Sequence, residues 1–103
     1  MKLIRELSDM IEDELEGACD YVKKALELKA EDKQLADTLY TLSQEEMGHV
    51  NVLHEQVVRE IEEYRKSKGE PPATMLSVYE YLHKKHIDEA ARIKVYQKMY
   101  TEM

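Results

Sequence analysis

In "SQEEMGHVNV", residues 43–52, Glu46 precedes His49 by three positions, and on a helix such neighbours share a face. One oxygen and one nitrogen donor can then reach the same ion. On a projection advancing about 100° per residue, both fall within about 60° of the line through Leu35, Leu42, Leu53 and Val57. Glu45 projects further away. Earlier in the chain, Glu14 falls within about 40° of the centre set by Leu7, Ala18 and Ala25, whereas Glu12, Asp13 and Glu16 lie further round. Tyr21, seven positions after Glu14, lies on the same face. A carboxylate withdrawn from water without a partner is costly, so Glu14, Glu46 and His49 projecting into one seam call for a cation or a network of partners. The mixed oxygen and nitrogen donors suit iron, manganese or zinc better than calcium.

Presenting those side chains requires helices, and the hydrophobic periodicity predicts three. In residues 3–29, Leu3, Ile4, Leu7, Met10, Ile11, Leu15, Ala18, Val22, Ala25 and Leu26 recur at spacings of three and four. "KAEDK" (29–33) is a short polar link in which Asp32 can cap the next helix. Residues 33–66 carry Leu35, Leu39, Leu42, Val50, Leu53, Val57, Ile61 and Tyr64 at the same period, without proline. A short link between two long helices implies an antiparallel hairpin. Residues 67–76 form a hinge, where Gly69 closes the second helix and Pro71 and Pro72 stop it. The third helix is expected over 77–101, opened by Ser77 and Glu80 at capping-box spacing. The chain of 103 residues is read as one all-α domain, a long hairpin followed by a C-terminal helix.

Composition narrows the partners. A net charge of −7 argues against nucleic acid or an anionic membrane bound through a basic face and favours cations. No stretch approaches the roughly 18 apolar residues of a membrane span, and the charged N-terminal segment is no signal peptide. A lone Cys19 closes no intrachain disulfide and forms no rubredoxin-like cysteine pair. A reducing, cytoplasmic location is expected. Domains this small bury a modest share of their surface, which makes association with copies of the same chain plausible.

Di-iron carboxylate bundles take a glutamate from each of two helices and a Glu-x-x-His from each of the other two. One chain supplies half of that set; two chains related by a two-fold axis would supply all of it, in a four-helix bundle of two hairpins. "ELEGACDY" (14–21) followed by "EEMGH" (45–49) resembles the encapsulated ferritin family, small members of the ferritin-like superfamily. The resemblance spans mainly residues 10–65. It implies a homodimer, or a larger open ring such as a decamer, with a di-iron ferroxidase centre at the dimer interface that passes oxidised iron to a storage shell. Position by position, it implies iron ligation by Glu14, Glu46 and His49, an entry-side role for Glu16 and a hydrogen-bonding role beside the ligands for Tyr21. Asp20 stands where the family has an aromatic residue. "VYQKMYTEM" at the C-terminus lacks the Gly-Ser-Leu type of tail that docks cargo in an encapsulin shell, so residence inside a protein nanocompartment has no visible docking signal.

Other residues admit plainer roles. His86 and Glu89 fall near the centre of the third stripe, either as an ion pair at a subunit contact or as a further metal site. His54 and His83 lie toward stripe edges and are expected to be exposed. The methionines are scattered and read as gap-fillers. A rubrerythrin-like peroxidase would need an outside reductant, since no cysteine pair is present to hold an electron-transfer iron. The alternative to an enzyme is a structural helical oligomer or adaptor, in which Glu14, Glu46 and His49 form a polar network that fixes register.

Overall fold

The computed structural model describes residues 2–103, which form three helices: α1 (Lys2–Leu28), α2 (Lys33–Lys68) and α3 (Ala73–Glu102). No strand occurs among the described residues. The turn between α1 and α2 is closed by the amides of Glu31 and Asp32, which donate to Leu28 O at 3.0 and 2.8 Å. Asp32 then caps α2, its carboxylate accepting from the Leu35 amide at 3.1 Å. At the other end Gly69 takes φ +85°, a conformation that side chains disfavour, and its amide donates to Arg65 O. Arg65, Lys66 and Lys68 place positive charge at that C-terminus, where the helix dipole favours it.

α3 starts four residues before the expected Ser77, at Ala73, with Pro72 in the cap position. The Pro72 carbonyl accepts from the Leu76 amide at 3.1 Å, and no side-chain cap is made. Proline has no amide to lose and its fixed φ suits the first turn, so the proline pair launches the helix; Ser77 and Glu80 lie inside it. The link is correspondingly shorter than the expected hinge over 67–76 and comprises only residues 69–72.

α3 folds back along the hairpin. His83 stacks on His54, Gln97 reaches Ser43 and Tyr100 stacks on Tyr40, so numbering rises along α3 as it falls along α2. The two helices are therefore antiparallel, and α3 runs parallel to α1. All three surround one core of Ile4, Ile11, Leu15, Ala18, Val50, Val57, Ile61 and Ile93, with Ala25, Ala36 and Tyr100 forming a second cluster toward the α1–α2 turn. The molecule is a rod of 55 × 18 × 18 Å, and no helix is long and apolar enough to cross a membrane.

Small residues set the closest approach of α1 and α2. Ala18, Ala36 and Ser43 are wholly inaccessible, and the Ser43 hydroxyl donates to Ala18 O at 2.7 Å. The apolar stripes are consequently rotated from their expected centres. Ala36 and Ser43 lie on the buried face of α2, while Leu3, Met10 and Leu35, read as stripe residues, are 49%, 51% and 43% exposed. Gly17, inside α1, costs about 1 kcal/mol relative to alanine at an exposed helix-interior position.

Candidate metal centre

Glu14 lies midway along α1, and Glu46 and His49 lie in the first half of α2. The antiparallel hairpin brings them together at one edge of its seam. His49 Nδ1 is 3.2 Å from Glu14 Oε2 and 4.0 Å from Glu46 Oε1. One ligating atom from each of the three lies within 4.8 Å of the others, and this is the sole such group of histidine, cysteine and acidic side chains among the described residues. The side chains of Glu14, Glu46 and His49 are 29%, 23% and 58% exposed, so the group sits at the surface of a single chain, half desolvated.

Two carboxylates this close repel one another unless a positive charge intervenes. Among the described residues, no lysine or arginine pairs with either; His49 is their one ionic partner. A divalent ion would supply the missing charge, and the donor set of two oxygens and one imidazole nitrogen fits a first-row transition ion. Three protein donors leave coordination positions open, as sites that exchange or transform their ligand require.

A second polar group lies across α1, against α3. His86 Nε2 stands 3.1 Å from Glu12 Oε2, and Lys85 Nζ is 3.6 Å from Glu12 and 3.7 Å from Glu89. Here Lys85 provides the compensating charge. Glu12 and Glu89 hold the Lys85 ammonium above its usual value, while burial, then Glu12, pushes the Glu89 carboxyl up. Burial pushes the His86 imidazole down against the pull of Glu12. Glu12 Oε2 is fully buried and accepts no hydrogen bond, because the imidazole beside it is not aligned to donate. His86 and Glu89 thus meet Glu12 of their own chain, separate from Glu14, Glu46 and His49. Glu12, assigned to the solvent side by its position on the projection, is half-buried because α3 covers that flank. Only the return path of α3 could have revealed it.

Glu16 also belongs to this flank, exposed and bordering a groove with Cys19, Lys85, Asp88 and Arg92. Tyr21 is half-buried and makes no hydrogen bond to the three candidate ligands among the described residues. His54 and His83, expected to be exposed, are half-buried instead: their rings stack at 4.8 Å with 11° between planes, and Tyr79 stacks on His83 at 5.6 Å. They line a cavity of about 190 Å³ with His86, Ser8, Asn51 and Ala90. Stacked rings hold their nitrogen lone pairs in nearly parallel, separate planes, so in this arrangement the pair does not converge on an ion.

No family model, curated protein or solved structure matches the chain. Donor type and geometry therefore carry the functional reading.

Proposed function

We propose that the chain binds a first-row transition ion through Glu14, Glu46 and His49, and that its substrate is ferrous iron, oxidised by dioxygen at a di-iron centre shared by two copies. The observation that carries this reading is the convergence of two carboxylates and an imidazole with no lysine or arginine among them. The Glu14 and Glu46 carboxylates would hold iron and favour its ferric product by their negative charge, and His49 would contribute the nitrogen donor. In the reaction two ferrous ions would each give up one electron to one dioxygen, which with two protons leaves as hydrogen peroxide. The choice of iron over manganese or zinc rests on the resemblance to the encapsulated ferritins, as does a role in iron storage or detoxification; the acidic chain would also concentrate cations near the site.

Pairing is supported by the surroundings of the site. Leu3 and Met10 share the Glu14 side of α1 at helical spacing, and Leu35 shares the Glu46 side of α2. All three are exposed although apolar, and α3 lies on the opposite flank of α1, so it leaves this face open. A second copy docked here about a two-fold axis would cover the apolar residues and bring the two half-sites together. A larger ring and a storage shell are further expectations of the family resemblance, and a cytoplasmic location is the expectation from the lone Cys19.

Anaerobic protein given ferrous iron and then air should develop the near-ultraviolet absorbance of ferric carboxylate species, saturating near roughly one iron per chain. Glu46→Ala and His49→Ala should abolish it. The hydrogen bond between His49 and Glu14 favours a second reading, a structural network that needs no metal. Under that reading the protein stays colourless, and neither its particle mass nor its melting temperature responds to iron or to a chelator.

A further inference from the structure

Gly17 stands one helical turn beyond Glu14 on α1, and a methyl group in place of its hydrogen would meet Glu46 Oε2 at 3.3 Å and Glu46 Cδ at 3.7 Å. The first distance is tighter than ordinary van der Waals contact for a side-chain carbon. The atoms approached belong to α2, and they are the carboxylate of a candidate ligand. Gly17 adopts ordinary helical backbone, so no turn or left-handed conformation requires glycine there. The helix gives up rigidity at this residue, and the three atoms nearest to the space all belong to Glu46.

We infer that Gly17 is a positioning residue for the metal site: its missing side chain is the recess that lets the Glu46 carboxylate lie against α1, within reach of the ion held by Glu14 and His49. The inference rests on the proposal that these three residues bind metal. Glu46 sits on α2 and must cross the seam toward Glu14. A β-carbon at position 17 occupies the path, and the carboxylate must then retreat by a few tenths of an ångström or rotate away. Ligand distances in metal sites hold to within about 0.2 Å of their standard values, so a shift of a few tenths of an ångström is felt at the ion. The same substitution would not disturb Glu14, which leaves from the preceding turn, nor the Ser43 contact that sets the spacing of the helices.

Gly48 provides a matched comparison. It too lies inside a helix, next to His49 in sequence, yet a methyl group there would meet nothing within 4 Å. Alanine at either position should raise the melting temperature of the metal-free protein by about 4 °C, since each removes a flexible residue from a helix. Only Gly17→Ala should weaken metal binding.

The experiment titrates wild type, Gly17→Ala and Gly48→Ala with cobalt(II), following the visible d–d bands, and melts each metal-free protein. The expected result is a Gly17→Ala protein that is more heat-stable than wild type yet binds cobalt about 10-fold more weakly, with altered band intensities that report a displaced oxygen donor. Gly48→Ala should bind as wild type does. If Gly17→Ala matches wild type in affinity and spectrum, or if both variants weaken equally, the positioning role is wrong while the metal site stands. If wild type itself binds no cobalt, the metal site is wrong and this inference goes with it.

Discussion

At the scale of single residues, the polar atoms that hold the bundle together are few, and Ser43 is central among them. Its hydroxyl donates to Ala18 O at 2.7 Å and accepts from Gln97 Nε2 at 3.0 Å, so one buried oxygen ties α2 to both α1 and α3. Removing it leaves the Gln97 amide without this acceptor and takes from Ala18 O the bond it accepts in addition to its intrahelical one. Ser43→Ala should therefore destabilise the protein by about 1–3 kcal/mol in denaturant titrations, despite the better helix propensity of alanine. A change smaller than the propensity gain would show that water replaces the hydroxyl without loss. A serine within an apolar helix face looks like a solvent-side residue in a hydropathy pattern, whereas Leu39 and Leu42 before it look like core. Ser43 is wholly buried and the two leucines are half-buried, because close approach of two backbones selects small side chains.

At the scale of elements, α2 and α3 meet through large flat side chains more than through interdigitated aliphatic ones. Tyr40 stacks on Tyr100 near one end, and His54 stacks on His83 and Tyr79 toward the other. The histidine end is the pH-sensitive one. Burial and then the nearby His54 hold His83 below its ordinary 6.5, and burial holds His86 below the same value. The unfolded chain therefore binds protons in a range where the folded chain does not, and stability rises with pH there. The contribution is complete above 6.5, is lost as pH falls from there to the folded values, and levels off below them. Glu89 works in the opposite sense as pH falls toward its own range, since its folded value is raised. The measurement is accordingly a comparison: His83→Phe keeps an aromatic ring in the stack and shares Glu89, and should show a flatter loss of stability than wild type between about pH 7 and about pH 5. Equal slopes would mean that the stack opens freely on protonation. Three helices and the hairpin were legible from periodicity, and Asp32 and Gly69 at the ends of α2 from capping chemistry. The burial of Glu12, His54 and His83 was not, because it depends on which flank of the hairpin α3 covers, and no local pattern encodes that choice.

At the scale of the whole molecule, the path of α3 divides the surface in two. One flank of α1 carries Glu12, Cys19 and Lys23 toward α3, where Lys23 Nζ lies 5.5 Å from the Tyr96 ring. The other carries Glu14 with the exposed Leu3 and Met10, and α3 does not cover it. The grouping of Glu14, Glu46 and His49 was legible because they share one seam of a hairpin whose register a single short turn fixes; the exposure of Leu3, Met10 and Leu35 was not, because all three were read as part of the buried stripes. Two chains of net charge −7 repel, so pairing through this face must come from apolar burial and from cations bound between the copies. Met10→Lys separates these contributions. It lowers the repulsion between copies, and electrostatics alone would then strengthen association, whereas a lysine placed in an apolar contact must be desolvated and would weaken it. For pairing at this face, light scattering should show that iron shifts wild type to twice the monomer mass and leaves Met10→Lys a monomer, with each variant chain still binding cobalt weakly through its own Glu14, Glu46 and His49. A variant that pairs as well as wild type would move the interface elsewhere, and the di-iron centre would lose the neighbour it needs.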